Sequence, residues 1–443
     1  MSRGGLSLSF ARAEGRTGVS AARSGGVAVT ALLFVALLVC AVGFAQKLPC
    51  WAGGWNLPAF PYNHACYTDI YPLYFAEGLA RGDVPYLDHP VEYPVLIGAV
   101  MGVTAAVVAP FGDAAVRGTA FYDVNTALLT LCALAAVAAT ARLVGTRRGA
   151  TLMLAASPGL ALAAFINWDL LAAALTAVAM LAWARERPVA AGVLLGLATA
   201  TKFYPVLLLG PLFILCLRAR RLRSFASALA GTAVAWLVVN LPVYIASPDA
   251  WAHFYAFSGQ RGADWGSVWY ALELVGAGVP GGLGTLNIVG AACFLACCLA
   301  IAALGLAAPR RPRLPQLVFL TLAAFLLTNK VWSPQYVIWL LPLVVLVRPR
   351  LPAYLTWQTA VVGYFFAIWS YLLGVVQHGH GGLDPTLYAT AVFARAGAVL
   401  LLAAVVVWNI LRPDSDLVRA DGTDDPAGGV LDGARDRSAA VPS

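Results

Sequence analysis

The sequence predicts an all-α, polytopic transmembrane protein, and three observations lead to that fold class. Of its 443 residues, 60% are hydrophobic and only 11% are charged, whereas soluble domains carry about 25% charged residues. Apolar runs of bilayer-spanning length, roughly 17–25 residues each, recur along the chain. The basic residues lie in short clusters between these runs. This is typical of loops that face anionic lipid, and it does not indicate a nucleic-acid partner.

The first element is an apolar run from Val27 to Ala45. It follows residues 1–25, which are rich in Gly, Ser and Arg and are predicted to form a disordered cytoplasmic N-terminus. A cleaved signal peptide is the alternative, because Gly43 and Ala45 are small residues near the end of the run. The length of the run and of the segment before it favours a first membrane helix with its N-terminus in the cytoplasm.

Two polar loops and a series of apolar segments follow. The loop 46–92 is the longest polar stretch between spans, and a second polar loop lies near 246–284. The apolar segments lie at about 93–111, 120–141, 149–166, 170–184, 188–202, 203–217, 224–245, 285–308, 314–329, 335–347, 352–372 and 388–411. Two cytoplasmic termini require an even number of spans. One segment between 93 and 166 is therefore expected not to cross, which leaves about twelve spans.

The arginine clusters predict the orientation, because cytoplasmic loops carry an excess of Lys and Arg. Strict alternation from residue 142 onward places every cluster in the cytoplasm: Arg142/Arg147/Arg148, Arg185/Arg187, Arg218/Arg220/Arg221/Arg223, Arg310/Arg311/Arg313, Arg348/Arg350 and Arg412. The loop 46–92 then faces the extracytoplasmic side of the cell membrane, as do all Lys and His residues. Residues 26–411 form one transmembrane domain, and the Asp/Gly/Pro-rich tail 412–443 is predicted to be disordered and cytoplasmic.

The loop 46–92 holds the first candidate for catalysis. From Cys66 to Leu96 it reads CYTDIYPLYFAEGLARGDVPYLDHPVEYPVL, and its apolar spacing predicts a short amphipathic helix at the membrane interface. Asp69 lies at the start of this helix and is either a helix N-cap or a general base. Glu92 directly precedes a span and is either a first-turn acid or a supporting residue of the site.

Charged residues inside or beside apolar runs are the next candidates. Asn167 and Asp169 stand in the motif NWD, Lys202 and Tyr204 in the motif TKFYP, and Arg395 inside the last span. A lone charge at membrane depth costs at least about 2.5–3.5 kcal/mol, so such residues usually face a cavity or a partner. Snorkelling to the interface is the alternative for Lys202 and Arg395. The aromatic neighbours of Lys202 favour a shaped site.

The run TNKVWSPQYVIWLLPL supplies the remaining candidates, Asn329, Lys330, Gln335 and Tyr336. Non-helical backbone at that depth is tolerated only against protein or a water-filled cavity. His378 and His380 stand in GHGG, where two His either bind a metal or lie in a plain loop. The plain loop is favoured, and neither a metal nor a cofactor is expected.

Together the outer face holds a loop carboxylate, Asp69, and two cations near membrane depth, Lys202 and Lys330. Transfer from a phosphate leaving group requires a base that activates a hydroxyl and cations that hold the phosphate. The sequence contains no Gly-rich phosphate loop, Rossmann fingerprint or soluble domain for a nucleotide sugar. Nucleotide sugars are also cytoplasmic, so a donor carried in the lipid fits both facts.

Cys50 and Cys66 are predicted to form a disulfide, because both lie in the loop 46–92 and that compartment permits oxidation. The alternative is two buried free thiols. The other six cysteines fall in or beside apolar spans and indicate no zinc site.

At these motifs the chain resembles the GT-C superfamily of polyprenol-phosphate-sugar-dependent glycosyltransferases. It is most similar to glycosyltransferase family 87, the actinobacterial alpha-mannosyltransferase type. The similar elements, in order, are CYTDIYPLY with VPY and EYPVL (Glu92 and Tyr93), NWD, GLATATKFYP and NKVWSPQY. The first mannosyltransferase of GPI-anchor synthesis is more distantly similar, but it carries an Asp-x-Asp pair where this chain has Tyr71. Some family 87 members carry adjacent His residues near Gln335. These departures indicate that the site does not bind a metal directly.

The resemblance implies a GT-C fold, an inverting reaction, and Asp69 as the catalytic base in the first extracytoplasmic loop. The implied donor is polyprenyl-phosphate mannose and the implied acceptor a cell-envelope glycolipid or glycan. Donor phosphate or sugar is expected to bind Lys202, Tyr204, Lys330 and Arg395. Support is expected from Glu92, Tyr93, Asn167, Asp169, Asn329, Gln335 and Tyr336.

Three other functions remain open at this point. One is a non-catalytic membrane scaffold, which would have little use for Lys202 and Asp169 at membrane depth. An arabinofuranosyltransferase that uses polyprenyl-phosphate arabinose has the same family architecture. A polytopic lipid or solute transporter is a different class, but the sequence shows no inverted repeat of broken helices, and its polar residues cluster on one face.

Overall fold

The computed structural model describes residues 18–279, 281–420 and 422–436. Within these ranges it contains no β-strand, and only an isolated bridge joins Pro85 and His89. The α-helices are α1 (Gly18–Trp51), α2 (Phe60–Asn63), α3 (Ile70–Ala76), α4 (Val95–Val108), α5 (Ala114–Leu143), α6 (Leu152–Ala155), α7 (Pro158–Ala163), α8 (Asp169–Ala184), α9 (Pro188–Thr201), α10 (Leu209–Arg218), α11 (Leu222–Ala246), α12 (Pro248–Gln260), α13 (Val268–Leu274), α14 (Leu283–Ala307), α15 (Leu314–Thr328), α16 (Val337–Val347), α17 (Leu351–Val376) and α18 (Pro385–Leu411).

Six of these helices, α1, α5, α11, α14, α17 and α18, are long and apolar enough to cross a membrane. Shorter apolar helices, among them α4, α8, α9, α15 and the segment Pro334–Val347, pack between them. The predicted all-α, polytopic membrane fold is therefore confirmed.

The apolar segment 149–166 does not form a continuous helix. A 3₁₀ segment, Gly145–Thr151, leads into α6, and α7 begins after Ser157, whose side chain accepts a hydrogen bond from the backbone N–H of Leu160. Ser at the N-cap followed by Pro at the first helical position is a strong start signal. The early end of α7 at Ala163 leaves the backbone of residues 164–167 open to contacts with the first loop.

The second polar loop is more structured than the sequence predicts. It contains α12, which starts at Pro248, and α13, which starts after Ser267; the Ser267 hydroxyl accepts a hydrogen bond from the backbone N–H of Tyr270. The sequence prediction relied on long apolar runs, and this polar segment contains none. Each of its two helices is short and rich in aromatic residues.

The predicted disorder of the two termini is not matched where the structure describes them. Residues 18–25 form the first turns of α1, while residues 1–17 lie outside the described ranges. In the tail, Asp416 forms an ion pair with Arg313 at 2.7 Å, and Asp424 forms one with Arg311 at 2.8 Å. The disorder prediction is wrong for residues 412–420 and 422–436, because the tail aspartates meet buried arginines at the helix ends. Residues 437–443 lie outside the described ranges.

Helices α9 and α11 approach closely through glycines. A Cβ built on Gly192 would lie 2.0 Å from the carbonyl oxygen of Ala228, and one on Gly196 would lie 2.4 Å from that of Thr232. Small residues allow membrane helices to pack backbone to backbone. This packing fixes α9, whose end carries the backbone of Lys202 towards the cavity described below.

Candidate active site

A cavity of about 660 Å³ lies at one end of the helix bundle, which we call the cavity end. The end that carries Arg185, Arg218 and Arg313 is the opposite end. Most of the residues that the sequence singled out line this cavity: Asp69, Glu92, Tyr93, Asn167, Lys202, Tyr204, Asn329, Lys330, Gln335 and Tyr336. They come from loops distant in sequence, which the fold brings together at one place.

Asp69 is the residue before α3, but its side chain makes no capping hydrogen bond. Its Oδ2 accepts a hydrogen bond from the Tyr93 hydroxyl at 3.2 Å, and its backbone N–H donates to the carbonyl of Ile166 at 2.7 Å. The hydroxyl of Thr68 also donates to the carbonyl of Phe165, at 2.8 Å. The backbone is thus fastened to residues 165–166, and the Asp69 carboxylate is left in the cavity wall.

The helix α3 itself differs from the expected interfacial helix. Ile70 is fully buried and Tyr74 is 1% exposed, and both belong to the main core. The ring of Tyr74 lies 4.9 Å from that of Phe121 on α5. Helix α3 therefore packs inside the protein, which gives Asp69 a firmer support than a helix resting on lipid.

The surroundings of Asp69 shift the pKa of its carboxyl group. Burial raises the pKa of Asp69 above its usual value, while hydrogen bonds from Tyr67 and Tyr93 and the charge of Lys202 act in the opposite direction. Burial, together with the charge of Asp69, also raises the pKa of Glu92. A carboxylate with a raised pKa is a stronger base when ionised, which suits removal of a proton from a hydroxyl.

Lys202, which lines the cavity, forms an ion pair with Asp169, which lies behind the lining. The Lys202 ammonium lies 2.9 Å from Asp169 Oδ1, and its side chain is 13% exposed while that of Asp169 is fully buried. The indole N–H of Trp339 donates to Asp169 Oδ2 at 3.0 Å, and the Lys202 ammonium lies 4.6 Å from the ring centre of Tyr93. Lys202 therefore has a partner at depth and does not snorkel to the interface.

The motif NWD forms the turn that begins α8. The side-chain oxygen of Asn167 accepts a hydrogen bond from the backbone N–H of Asp169 at 3.1 Å. The indole N–H of Trp168 donates to the side chain of Asn125 on α5 at 2.6 Å. Asp169 thereby occupies the first turn of α8, where the helix dipole favours a carboxylate.

Three stacked rings form another part of the wall. The ring of Trp339 lies 4.3 Å from that of Tyr204 and 3.7 Å from that of Tyr336. Because Trp339 also donates to Asp169, this stack joins the NWD, TKFYP and SPQY motifs physically. The neighbouring Gln335 is 6% exposed.

Lys330 and residues of the second loop supply a further part of the lining. The Lys330 ammonium donates to the carbonyl of Gly259 at 2.9 Å and to the side chain of Asn287 at 2.6 Å. Arg261 forms an ion pair with Asp264 at 2.8 Å, and both line the cavity. The sequence reasoning missed these two residues. Arg261 stands outside every arginine cluster, in a loop that the alternation of spans places on the same side as Asp69. This isolated position is a sequence signal by which Arg261 could have been found.

Arg395, which the sequence placed among the donor-binding candidates, does not line the cavity. It is 4% exposed, and its guanidinium donates to the carbonyls of Gly266 and Trp332, the latter at 2.9 Å. Its central carbon also lies 3.5 Å from the ring centre of Tyr364. Carbonyls and aromatic rings satisfy its charge, so Arg395 holds the second loop against residue 332 and does not snorkel.

The first loop is fastened by a disulfide between Cys50 and Cys66, the pair that the sequence predicted, with their Cα atoms 5.8 Å apart. Beside it, Tyr62, Tyr67 and Trp369 line the cavity and contact one another; the ring centres of Tyr67 and Trp369 are 4.7 Å apart. The sequence reasoning did not single out these aromatic residues.

A carboxylate that can accept a proton, cationic side chains and aromatic rings thus line the same cavity. Among the described residues, no group of three or more His, Cys, Asp and Glu side chains is placed to hold a metal ion. A carboxylate beside cationic groups is able, by its chemistry, to accept a proton from a hydroxyl while the cations hold an anion.

Comparison with protein families gives a match. The model of a family described as Glycosyltransferase family 87 matches residues 103–334, just over half of the chain. The matched region includes Asn167, Asp169, Lys202 and Lys330, while Asp69 precedes it. No curated protein matches the chain at a significant level.

Proposed function

The chain belongs to glycosyltransferase family 87 and is a membrane glycosyltransferase, and from this premise we propose its donor, acceptor and catalytic base. The donor is mannose carried on a polyprenyl phosphate, and the acceptor is a hydroxyl of a cell-envelope glycolipid or glycan. The reaction takes place at the extracytoplasmic face of the cell membrane, with both termini in the cytoplasm. Asp69 is the general base.

The observation that supports this proposal best is the position of Asp69. Its carboxylate lies in the wall of the cavity, makes no cap to α3, and accepts a hydrogen bond from Tyr93. A sugar hydroxyl is a poor nucleophile at neutral pH, so its transfer requires a base that takes the proton as the new bond forms. Asp69 meets that requirement beside the ion pair of Lys202 and Asp169.

The reaction is a single displacement. The acceptor oxygen attacks the anomeric carbon of the sugar, and the bond from that carbon to the phosphate oxygen breaks. The phosphate oxygen leaves with the electron pair as polyprenyl phosphate, and Asp69 takes the hydroxyl proton. One displacement inverts the anomeric centre.

Cations in the lining of the cavity support binding of the donor phosphate. Lys202, Arg261 and Lys330 all line it. Lys202 and Arg261 each have a carboxylate partner, so neither is a bare charge before the donor arrives. Positive groups that are already oriented stabilise the charge that develops on the leaving phosphate.

The experiment compares envelope glycolipids by mass spectrometry in a strain that lacks the gene and in the same strain carrying wild type, Asp69→Asn or Glu92→Gln. Purified proteins are assayed with radiolabelled polyprenyl-phosphate mannose as donor and the lipid extract of the deletion strain as acceptor. Deletion is expected to remove a hexose, which wild type restores. Asp69→Asn keeps the shape of the side chain but not its basicity, so the transfer rate is expected to fall about 10²–10⁴-fold.

Glu92→Gln is the matched control and is expected to lose less activity, because Glu92 lines the same cavity but does not act as the base. Loss of a pentose in place of a hexose would identify an arabinose donor. Transfer by Asp69→Asn within about threefold of wild type would refute Asp69 as the base. An unchanged glycolipid profile in the deletion strain would refute the glycolipid acceptor.

A further inference from the structure

The end of α1 is attached to the three residues that precede Thr68 and Asp69. The attachments are the Gln46 amide with the Ala65 carbonyl, the Lys47 ammonium with the Tyr67 carbonyl at 2.7 Å, and the Cys50–Cys66 disulfide. On the other side, the hydroxyl of Thr68 and the backbone N–H of Asp69 are bound to the carbonyls of residues 165–166. The segment that carries Asp69 is thus held from two sides.

Lys47 differs from the other two attachments because it brings a charge. Its side chain is fully buried, and in the described ranges no ion pair joins it to a carboxylate. It lies 5.8 Å from the ring centre of Phe365. Burial of a cation without a paired anion is costly, and an apolar side chain of similar volume would avoid that cost. The buried position of Lys47 therefore indicates that its charge has a role that a neutral side chain would not perform.

The group that Lys47 influences is Asp69, with which its charge interacts. The ammonium binds the carbonyl of Tyr67, and the Tyr67 side chain lines the cavity together with Asp69, whose pKa it lowers. The titratable and charged groups around Asp69 are Lys47 of α1, Tyr62, Tyr67, Glu92 and Tyr93 of the first loop, Asp169 of α8, and Lys202 at the end of α9.

We propose that Lys47 is a positioning residue for the catalytic base: it fixes the Tyr67 peptide, and its charge keeps the Asp69 carboxylate ionised. The inference rests on the proposed function, in which Asp69 takes the proton. Lys47 does not line the cavity. It acts through the segment 65–69.

The sign of the electrostatic effect follows from the role of Asp69. A base works when it is deprotonated, so the transfer rate rises with pH through the pKa of Asp69. A nearby cation favours the ionised carboxylate, and its removal raises that pKa. The acid limb of the pH–rate profile must then move to higher pH.

The test is Lys47→Met, which keeps the length of the side chain and removes both the charge and the hydrogen bond. We expect kcat in the radiolabelled transfer assay to fall about 10- to 100-fold, as when a reacting group is misplaced by about 1 Å. The donor KM is expected to stay within about twofold. The acid limb is expected to move up by about 0.5–1 pH unit, since Lys47 makes no direct ion pair with the carboxylate.

Gln46→Leu is the matched neighbour, because it removes one attachment of the same segment without a change of charge. We expect its acid limb to stay at the wild-type pH. If both variants lose kcat equally and neither acid limb moves, Lys47 is merely structural and the proposal is overturned. A wild-type kcat and acid limb in Lys47→Met overturn it as well.

Folding is checked by gel filtration and by the intact Cys50–Cys66 disulfide. If Lys47→Met does not fold, Lys47→Gln takes its place, since Gln retains a donor but no charge. Its acid limb must also move up, and an unmoved limb refutes the proposal. Asp69→Asn, measured in parallel, separates the two proposals. Full activity there refutes the proposed function, whereas an inactive Asp69→Asn with a normal Lys47→Met refutes only the role of Lys47.

Discussion

The Lys202–Asp169 ion pair determines how either residue is to be tested. Lys202→Met alone leaves the Asp169 carboxylate buried without its counter-ion. Removal of one partner of a buried pair costs about 3–5 kcal/mol, so we expect a lower thermal midpoint in detergent together with lost transfer. An experiment with the single variant therefore cannot distinguish a loss of stability from a loss of phosphate binding.

The double variant Lys202→Met/Asp169→Asn separates the two effects. It removes both charges, so most of the thermal midpoint is expected to return, because Asn still accepts the hydrogen bond from Trp339. Transfer is expected to stay about 10- to 150-fold below wild type, which corresponds to a charge-assisted hydrogen bond of about 1.5–3 kcal/mol. If activity returns with stability, Lys202 is only the counter-ion of Asp169.

At the residue scale, the sequence predicted which residues belong to the site better than it predicted which residues they contact. Asp69, Lys202 and Asp169 stand out because charges interrupt apolar or aromatic runs. Their contacts depend on which loops meet in space, and spacing along the chain carries no such information. Arg395 shows the limit: the sequence shows a charge within a span, but not the carbonyls of Gly266 and Trp332 that satisfy it.

At the scale of the element, the described residues of the tail, 412–420 and 422–436, clamp the opposite end of the bundle. Asp416 is fully buried and pairs with Arg313, which also donates to the carbonyl of Leu346. We expect Asp416→Asn to lower the free energy of unfolding by about 3–5 kcal/mol, because it leaves the Arg313 guanidinium buried without a counter-ion. The thermal midpoint of the purified protein in detergent measures this loss.

Asp414→Asn is the control, since Asp414 is exposed and a surface substitution usually changes stability by less than about 0.5 kcal/mol. The transfer rate of folded Asp416→Asn protein is expected to equal that of wild type, because the clamp lies far from the cavity. Equal thermal midpoints for the two variants would contradict the stabilising role of the Asp416–Arg313 ion pair.

The same tail shows why elements were only partly predictable. Long apolar runs such as 224–245 and 388–411 gave helices with bounds close to those of α11 and α18, because hydrophobic length is a local property. The tail and α12 are polar or mixed in composition, and their order depends on tertiary partners. A compositional rule for disorder does not detect an aspartate that meets a buried arginine.

For the molecule as a whole, the arginines and the cavity occupy opposite ends. Cytoplasmic loops of membrane proteins are enriched in Lys and Arg, so we expect the cavity end to face outward. The expected result is labelling of His380→Cys by a membrane-impermeant maleimide in intact cells. Arg185→Cys is expected to react only after permeabilisation. Both positions are exposed, at the cavity end and the opposite end respectively, and the wild-type protein measures labelling of its own thiols.

The reverse labelling pattern would place the cavity in the cytoplasm. A nucleotide sugar would then be the accessible donor, yet the sequence contains no Gly-rich phosphate loop or soluble domain to bind one. The Cys50–Cys66 disulfide argues for the outward orientation, because disulfides persist in oxidising compartments. An outward-facing cavity therefore requires a donor that reaches it within the membrane, and a sugar on a polyprenyl phosphate meets that requirement.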